Sequence, residues 1–133
     1  TTFPEIAACA VDAYAQAGVT DPRTQVAMAE VHDCFTPTEL VLMEDLQFSA
    51  RGTAWRDVLE GVFDLDGELP INPDGGLKSF GHPTGASGLR MMFDGFVVEL
   101  VVELVVDDVE LVGVGGTCTS NAPMSEVVPL MRS

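Results

Sequence analysis

Two short stretches hold the residues that could do chemistry. The first is "EVHDCFTPTE", in which His32 and Cys34 stand just ahead of a helix-start signal. A thiol at the end of a strand, two residues before a helix N-cap, meets unpaired N–H groups and the positive end of the helix dipole, which favour a thiolate. His32 could orient a polar group or exchange a proton. The plainer alternative is a buried structural cysteine beside a hydrogen-bonded histidine, since free cysteine is among the most buried residue types.

The second stretch is "NPDGGLKSFGHPTGASG", residues 72–88, with five glycines and two prolines around His82. Glycine lets backbone approach a ligand closely, and Gly85 and Gly88 lead into a helix N-terminus whose N–H groups can meet an oxyanion or a phosphate. The alternative is a loop histidine packed on Phe80, with the glycines serving turns alone. A third, weaker feature is "GVGGTC" at 113–118, where a glycine-rich strand exit can leave an N–H free to stabilise developing negative charge. Cys118 reads as a small core residue and Cys9 as a structural one on an Ala-rich helix. Glu99 and Glu103, four residues apart, read as a solvated stripe and not as an acid/base pair. Ser/His/Asp signatures, a phosphate-binding P-loop and zinc-ligand spacings are absent from the sequence.

Several elements must position these residues. Ile6 to Ala17 has apolar residues at helical spacing, closed by "GV". Val26 to Val31 is a short apolar run that predicts a buried strand. Thr36 as N-cap, Pro37 in the first turn and Glu39 completing a T-x-x-E capping box predict a helix to about Gln47. Residues 49–69 read as loop and short helix around Trp55. "SGLRMMFDGFVVELVVEL" predicts a long helix buried on most faces, although its valines also suit a strand. Strands are expected over 109–116 and 125–131. The order suggests an α/β fold, a mixed sheet packed against helices in layers.

Composition bounds the partners. The 133 residues suit one domain with a single core. Hydrophobic residues make up 47% and charged ones 20%, as in globular chains. Asp and Glu outnumber Lys and Arg by 21 to 6, a net charge of −15, which repels nucleic acid and anionic membranes. A nucleotide-like ligand therefore needs locally placed cations. Three cysteines without metal-ligand spacing suggest free thiols in a reducing compartment. No signal peptide is visible, and carboxylates interrupt the longest apolar tract, so no membrane span is expected.

In order and spacing, "AEVHDCF", "NPDGGLKSFGHPTGASG" and "GVGG" resemble the C-terminal half of thiolases from Ile6 to about Gly116. The cysteine in "HDCF", with glycine opening the last motif, resembles the sterol-carrier-protein type. The resemblance implies a C-terminal thiolase-like domain over 1–133 and the chemistry of an acetyl-CoA acetyltransferase in lipid metabolism. That chemistry is thiolysis of 3-oxoacyl-CoA, or the reverse Claisen condensation, through an acyl-cysteine. Coenzyme A is then a substrate, with no permanently bound cofactor and no metal. His82 would help activate the nucleophile and hold the thioester oxygen, and Cys34 would move the proton at the acetyl α-carbon. His32 matches the position that holds an oxyanion-site water, and Gly115 the N–H donor of a second oxyanion hole.

In this family the nucleophilic cysteine and much of the coenzyme A grip belong to an N-terminal half. An N-terminal half or partner chain, in a homo- or hetero-oligomer, is therefore implied. So is a cytoplasmic location, peroxisomal or mitochondrial in a eukaryote. The chain departs from the family pattern between Gly88 and Gly113 and again after Gly116. Two other readings remain: a thiolase-like aldolase splitting 3-hydroxyacyl-CoA, whose relatives use tyrosines where this chain has only Tyr14, and a non-catalytic assembly subunit.

Overall fold

The computed structural model describes residues 1–103, with side-chain surroundings through residue 95. The strands expected over 109–116 and 125–131, with Gly113, Gly115 and Cys118, lie outside the described residues.

Helix α1 spans Pro4–Ala17 and ends where Gly18 turns left-handed at φ 72° and donates its N–H to the Tyr14 carbonyl. Its inner face buries Ala10 and Tyr14. The Tyr14 hydroxyl donates to the Leu46 carbonyl at 2.8 Å, and burial pushes its pKa upward, so it stays a neutral donor. A four-residue helix, α2 (Pro22–Gln25), leads into the apolar run.

Helix α3 spans Thr36–Asp45, but its N-cap is Phe35, not Thr36, and no side chain caps it. The expected capping box does not form. The Thr38 and Glu39 N–H groups donate to the Phe35 carbonyl, and the Glu39 carboxylate instead accepts from Asn72 Nδ2 at 2.9 Å. Helix α3 packs on α1 and on α4 (Ala54–Leu59). The core between them is built from Val31, Leu46, Phe48 and Leu69, all nearly sealed from water. Burial of such side chains contributes about 1.5–3 kcal/mol each.

Val26 to Val31 is mostly buried, as expected. Among the described residues, however, it forms a single parallel bridge, Ala29 to Ile71, and no full strand. The Ala29 N–H donates to the Pro70 carbonyl at 3.0 Å, and its carbonyl accepts from Asn72 N–H at 2.8 Å. Two residues on, a side chain replaces the ladder: the Val31 N–H donates to Asn72 Oδ1 at 2.7 Å. The expected mixed sheet is not seen among the described residues, which hold this one bridge and no strand.

Helix α5 (Gly76–Phe80) and helix α6 (Ser87–Glu103) flank the loop that carries His82. The expectation that α6 is buried on most faces does not hold over its described start. Ser87 and Met91 are buried, whereas Leu89, Met92 and Phe93 are exposed. No described helix is long and apolar enough to cross a membrane.

Candidate active site

The "HDCF" segment leaves the bridge at Val31 and is fastened by the residue between its histidine and cysteine. Asp33 Oδ1 accepts the N–H of Leu77 at 2.9 Å, tying the segment to the first turn of α5. Gly76, at φ 63°, lies so close that a Cβ there would run into the Asp33 carboxylate. Glycine is needed here for both conformation and space.

Asn72 does the complementary work from the other side. Left-handed at φ 50°, it bonds Val31 N–H and Glu39 with one amide, and so clamps the "HDCF" segment, α3 and the start of the glycine-rich loop together. Burial, and then the nearby Asp33 charge, push the Glu39 carboxyl above its ordinary value, while the Asn72 bond pulls it back.

The loop then brings His82 against His32. The ring centroids lie 4.7 Å apart, edge to face at 73°. His82 Nδ1 is 2.8 Å from Ser87 Oγ at the start of α6. Phe80, the packing partner considered for His82, instead faces the Arg90 guanidinium at 4.9 Å. Burial lowers the His32 pKa first and the adjacent His82 lowers it further, with Asp33 opposing, so His32 favours its neutral form.

Cys34 is exposed, which removes the buried structural alternative. Its Sγ lies 3.9 Å from Thr38 Oγ1 and one residue before the N-cap of α3. Cys34 and His82 line the same open cleft of about 460 Å³ with Asp33, Thr36, Leu77 and Lys78. Lys78 puts a cation on its rim. Of the sequence-nominated residues, His32, Cys34 and His82 are therefore gathered at one end of the fold, while Gly115 lies outside the described residues. A larger concavity of about 860 Å³ lies on another face, between α1 and the start of α4. Its charged groups are engaged with one another: Arg23 pairs with Asp57 at 3.4 Å, and Arg51 with Asp45. That leaves little to grip a reacting group.

Beneath the His82 loop lies a charge cluster that motif reading missed. Arg90 on α6 bonds Asp74 in the loop and, at 2.8 Å, Asp94 one turn on. Asp74 also accepts the N–H of Gly76 at 2.6 Å, so the loop is tethered to α6 and α5 together. Glu30, 4% exposed, closes the cluster with both oxygens lacking a hydrogen-bond partner among the described residues. Desolvation pushes its pKa to about 7, with Arg90 opposing and Asp94 and Asp33 adding to the rise. Glu30, Asp74 and Asp94 offer oxygens within 4.8 Å of one another. The Arg90 guanidinium already sits against two of these carboxylates and supplies the positive charge that a metal ion would bring.

The Thiolase C-terminal domain-like family profile matches residues 1–121. The chain belongs to this family. Over 62 residues it is 45% identical to an acetyl-CoA acetyltransferase of Methanothermobacter thermautotrophicus, a match covering 47% of this chain and 16% of that enzyme. Over 66 residues it is 41% identical to sterol carrier protein 2 of Bos taurus, covering 50% of this chain and 12% of that protein. Among solved structures it is similar to the Ltp2-ChsH2(DUF35) aldolase, with a TM-score of 0.54 and 36% identity over 58% of this chain and 20% of that one. The chain thus spans a fifth or less of the length of these thiolase-like relatives.

Proposed function

We propose that this chain, as one domain over 1–133, is the C-terminal half of a thiolase-type acyl-CoA acyltransferase and supplies the proton-handling side of its active site. The observation that carries this reading is the shared cleft of Cys34 and His82, with His32 in edge contact behind them. Carbon–carbon cleavage next to a thioester needs a thiolate, a proton shuttle and preorganised donors. A thiolate from an N-terminal half or partner chain adds to C3 of a 3-oxoacyl-CoA, and the C2–C3 bond breaks with its electron pair going to C2. The Cys34 thiol gives its proton to C2, releasing acetyl-CoA and leaving an acyl-cysteine. The thiol of a second coenzyme A then takes the acyl group, and its proton returns to the site.

In this reading His82 takes the proton of the nucleophile and holds the thioester oxygen, His32 orients the oxyanion-site water, and the Gly115 N–H meets the second oxyanion. Lys78 suits the anionic end of the ligand on the cleft rim. The exposed Leu89, Met92 and Phe93 on α6 support association with a further half or chain, in a homo- or hetero-oligomer. Coenzyme A enters as substrate, and the reaction runs in the cytoplasm, or in a peroxisome or mitochondrion of a eukaryote.

The likeness to a solved aldolase favours a second reading, cleavage of a 3-hydroxyacyl-CoA. Against it, Tyr14 is 4% exposed and bonded to the Leu46 carbonyl, far from the role of a catalytic tyrosine. Turnover by the complete enzyme on 3-oxoacyl-CoA against 3-hydroxyacyl-CoA separates the two. Thiolysis of the oxo substrate that is lost in Cys34→Ala supports the acyltransferase, and cleavage of the hydroxy substrate alone supports the aldolase. Turnover of neither leaves an assembly subunit.

A further inference from the structure

Ser87 opens α6 and is 4% exposed, yet it touches His82, one of the two groups that handle protons in the proposed site. Its Oγ lies 2.8 Å from His82 Nδ1 and 3.3 Å from the Pro83 carbonyl oxygen, four residues earlier. A hydroxyl has one proton and two lone pairs. Back-bonding to the carbonyl at i−4 is open to a helical serine, and Ser87 Oγ–H is donated to the Pro83 carbonyl in this way. The lone pairs then face Nδ1, which must carry a hydrogen to bond them. A neutral imidazole has one protonated nitrogen, so Nε2, on the ring edge away from Ser87, is left bare.

We propose that Ser87 is a positioning residue that selects the Nδ1–H tautomer of His82 and leaves Nε2 as the proton acceptor of the site. The tautomer preferred by imidazole in water is the opposite one, so the selection is a property of this fold. It rests on the acyltransferase reading only for the identity of the thiol that gives up the proton. When a cysteine thiol meets Nε2, the S–H bond breaks, an Nε2–H bond forms and the electron pair stays on sulfur. The positive charge spreads to Nδ1–H, where Ser87 Oγ holds it. The backbone fixes the arrangement on both sides: Gly81, at φ 81° and ψ 177°, turns the chain into His82, and Ala86 and Ser87 N–H groups close the loop on the Pro83 carbonyl.

The test is nitrogen NMR on the chain labelled with 15N-histidine, above the titration of the imidazoles. Only two histidines contribute, and His32→Gln assigns them. His82 is expected to show a protonated Nδ1 shift and an unprotonated Nε2 shift. Ser87→Ala is expected to swap the two shifts, and Ser87→Thr, which keeps the hydroxyl, to preserve them. A protonated Nε2 in the unsubstituted chain overturns the proposal whether or not a variant folds. So does an unchanged tautomer in Ser87→Ala, or a swap in a folded Ser87→Thr. Because the spectrum needs no turnover, an Nδ1–H tautomer in an enzyme without thiolysis sinks the acyltransferase reading and leaves this one standing. Thiolysis with an Nε2–H tautomer does the reverse.

Discussion

Asp45, in the helical scaffold, and Glu30, beneath the His82 loop, are carboxylates buried to nearly the same depth, 1% and 4% exposed. Their surroundings treat them oppositely. Asp45 accepts from Thr2 Oγ1 and from Phe3 N–H at 2.7 Å each, and pairs with Arg51. Burial works to raise its pKa, but these donors outweigh burial and hold it below the ordinary value. Glu30 has no such donors, so desolvation wins and carries it to about 7. Depth alone does not set the charge of a buried acid; the donors that the fold delivers do. The scaffold around α1 and α3 has settled its charges, whereas the floor of the candidate site has not.

The largest effect is expected from removing the settled charge. Asp45→Ala leaves the Phe3 N–H and Thr2 without their acceptor and is expected to cost about 2–4 kcal/mol in urea unfolding. Because the Asp45 pKa is lowered, its contribution is full above 3.8 and fades as pH falls through the folded value. An acid limb identical in Asp45→Asn and the parent chain would contradict this.

Glu30→Gln is expected to act in the opposite direction, raising stability at pH 8 by about 1–3 kcal/mol because the cost of ionising a buried group disappears. With the pKa raised from 4.5 to about 7, the native state binds more protons than the unfolded chain in that window. The Glu30 contribution is therefore full below 4.5 and is lost as pH rises through 7. His32, whose pKa is lowered, has the opposite slope below 6.5, so the difference between variant and parent is the quantity to follow. A difference that stays constant across that window breaks the contrast.

A third substitution carries the comparison into the loop. Gly76→Ala puts a Cβ at φ 63° against the Asp33 carboxylate and is expected to cost about 1–2 kcal/mol, with a chemical-shift change at His82 that Gly18→Ala, in open space, does not produce. The smallest effect belongs to the exposed pair of Arg23 and Glu68, 3.1 Å apart with Glu68 73% exposed. Glu68→Ala is expected to change unfolding by less than about 0.5 kcal/mol.

What the sequence made legible follows the range of the interactions involved. Helix α1, the start of α3 and the glycine-rich loop are announced by local signals: proline in the first turn, glycine at the stop, periodic apolar positions. Residue chemistry nominated His32, Cys34 and His82, the family resemblance assigned their roles, and the fold brings them to one end. The N-cap of α3 moved by one residue because Glu39 bonds Asn72, 33 positions away, instead of its own helix start. The tie from Asp33 to Leu77 spans 44 positions, and no local pattern signals it. Asn72 was visible only as the first residue of the glycine-rich stretch, yet its amide substitutes for a ladder bond. The Glu30–Arg90 cluster mixes a strand-like segment, a loop and a helix, and only the fold unites them. Ser87 lies five residues from His82, close enough to read, but a contact at that spacing depends on a left-handed path through glycine.

The most direct test of the central claim is turnover of 3-oxoacyl-CoA by the complete enzyme carrying His82→Ala, with thermal unfolding recorded on the same sample. His82 is exposed, so the unfolding temperature is expected to stay unchanged. Thiolysis is expected to fall by about 10²–10⁴-fold, as when a positioned proton acceptor is removed. Undiminished thiolysis in a folded His82→Ala enzyme would contradict the assignment of this cleft as the active site.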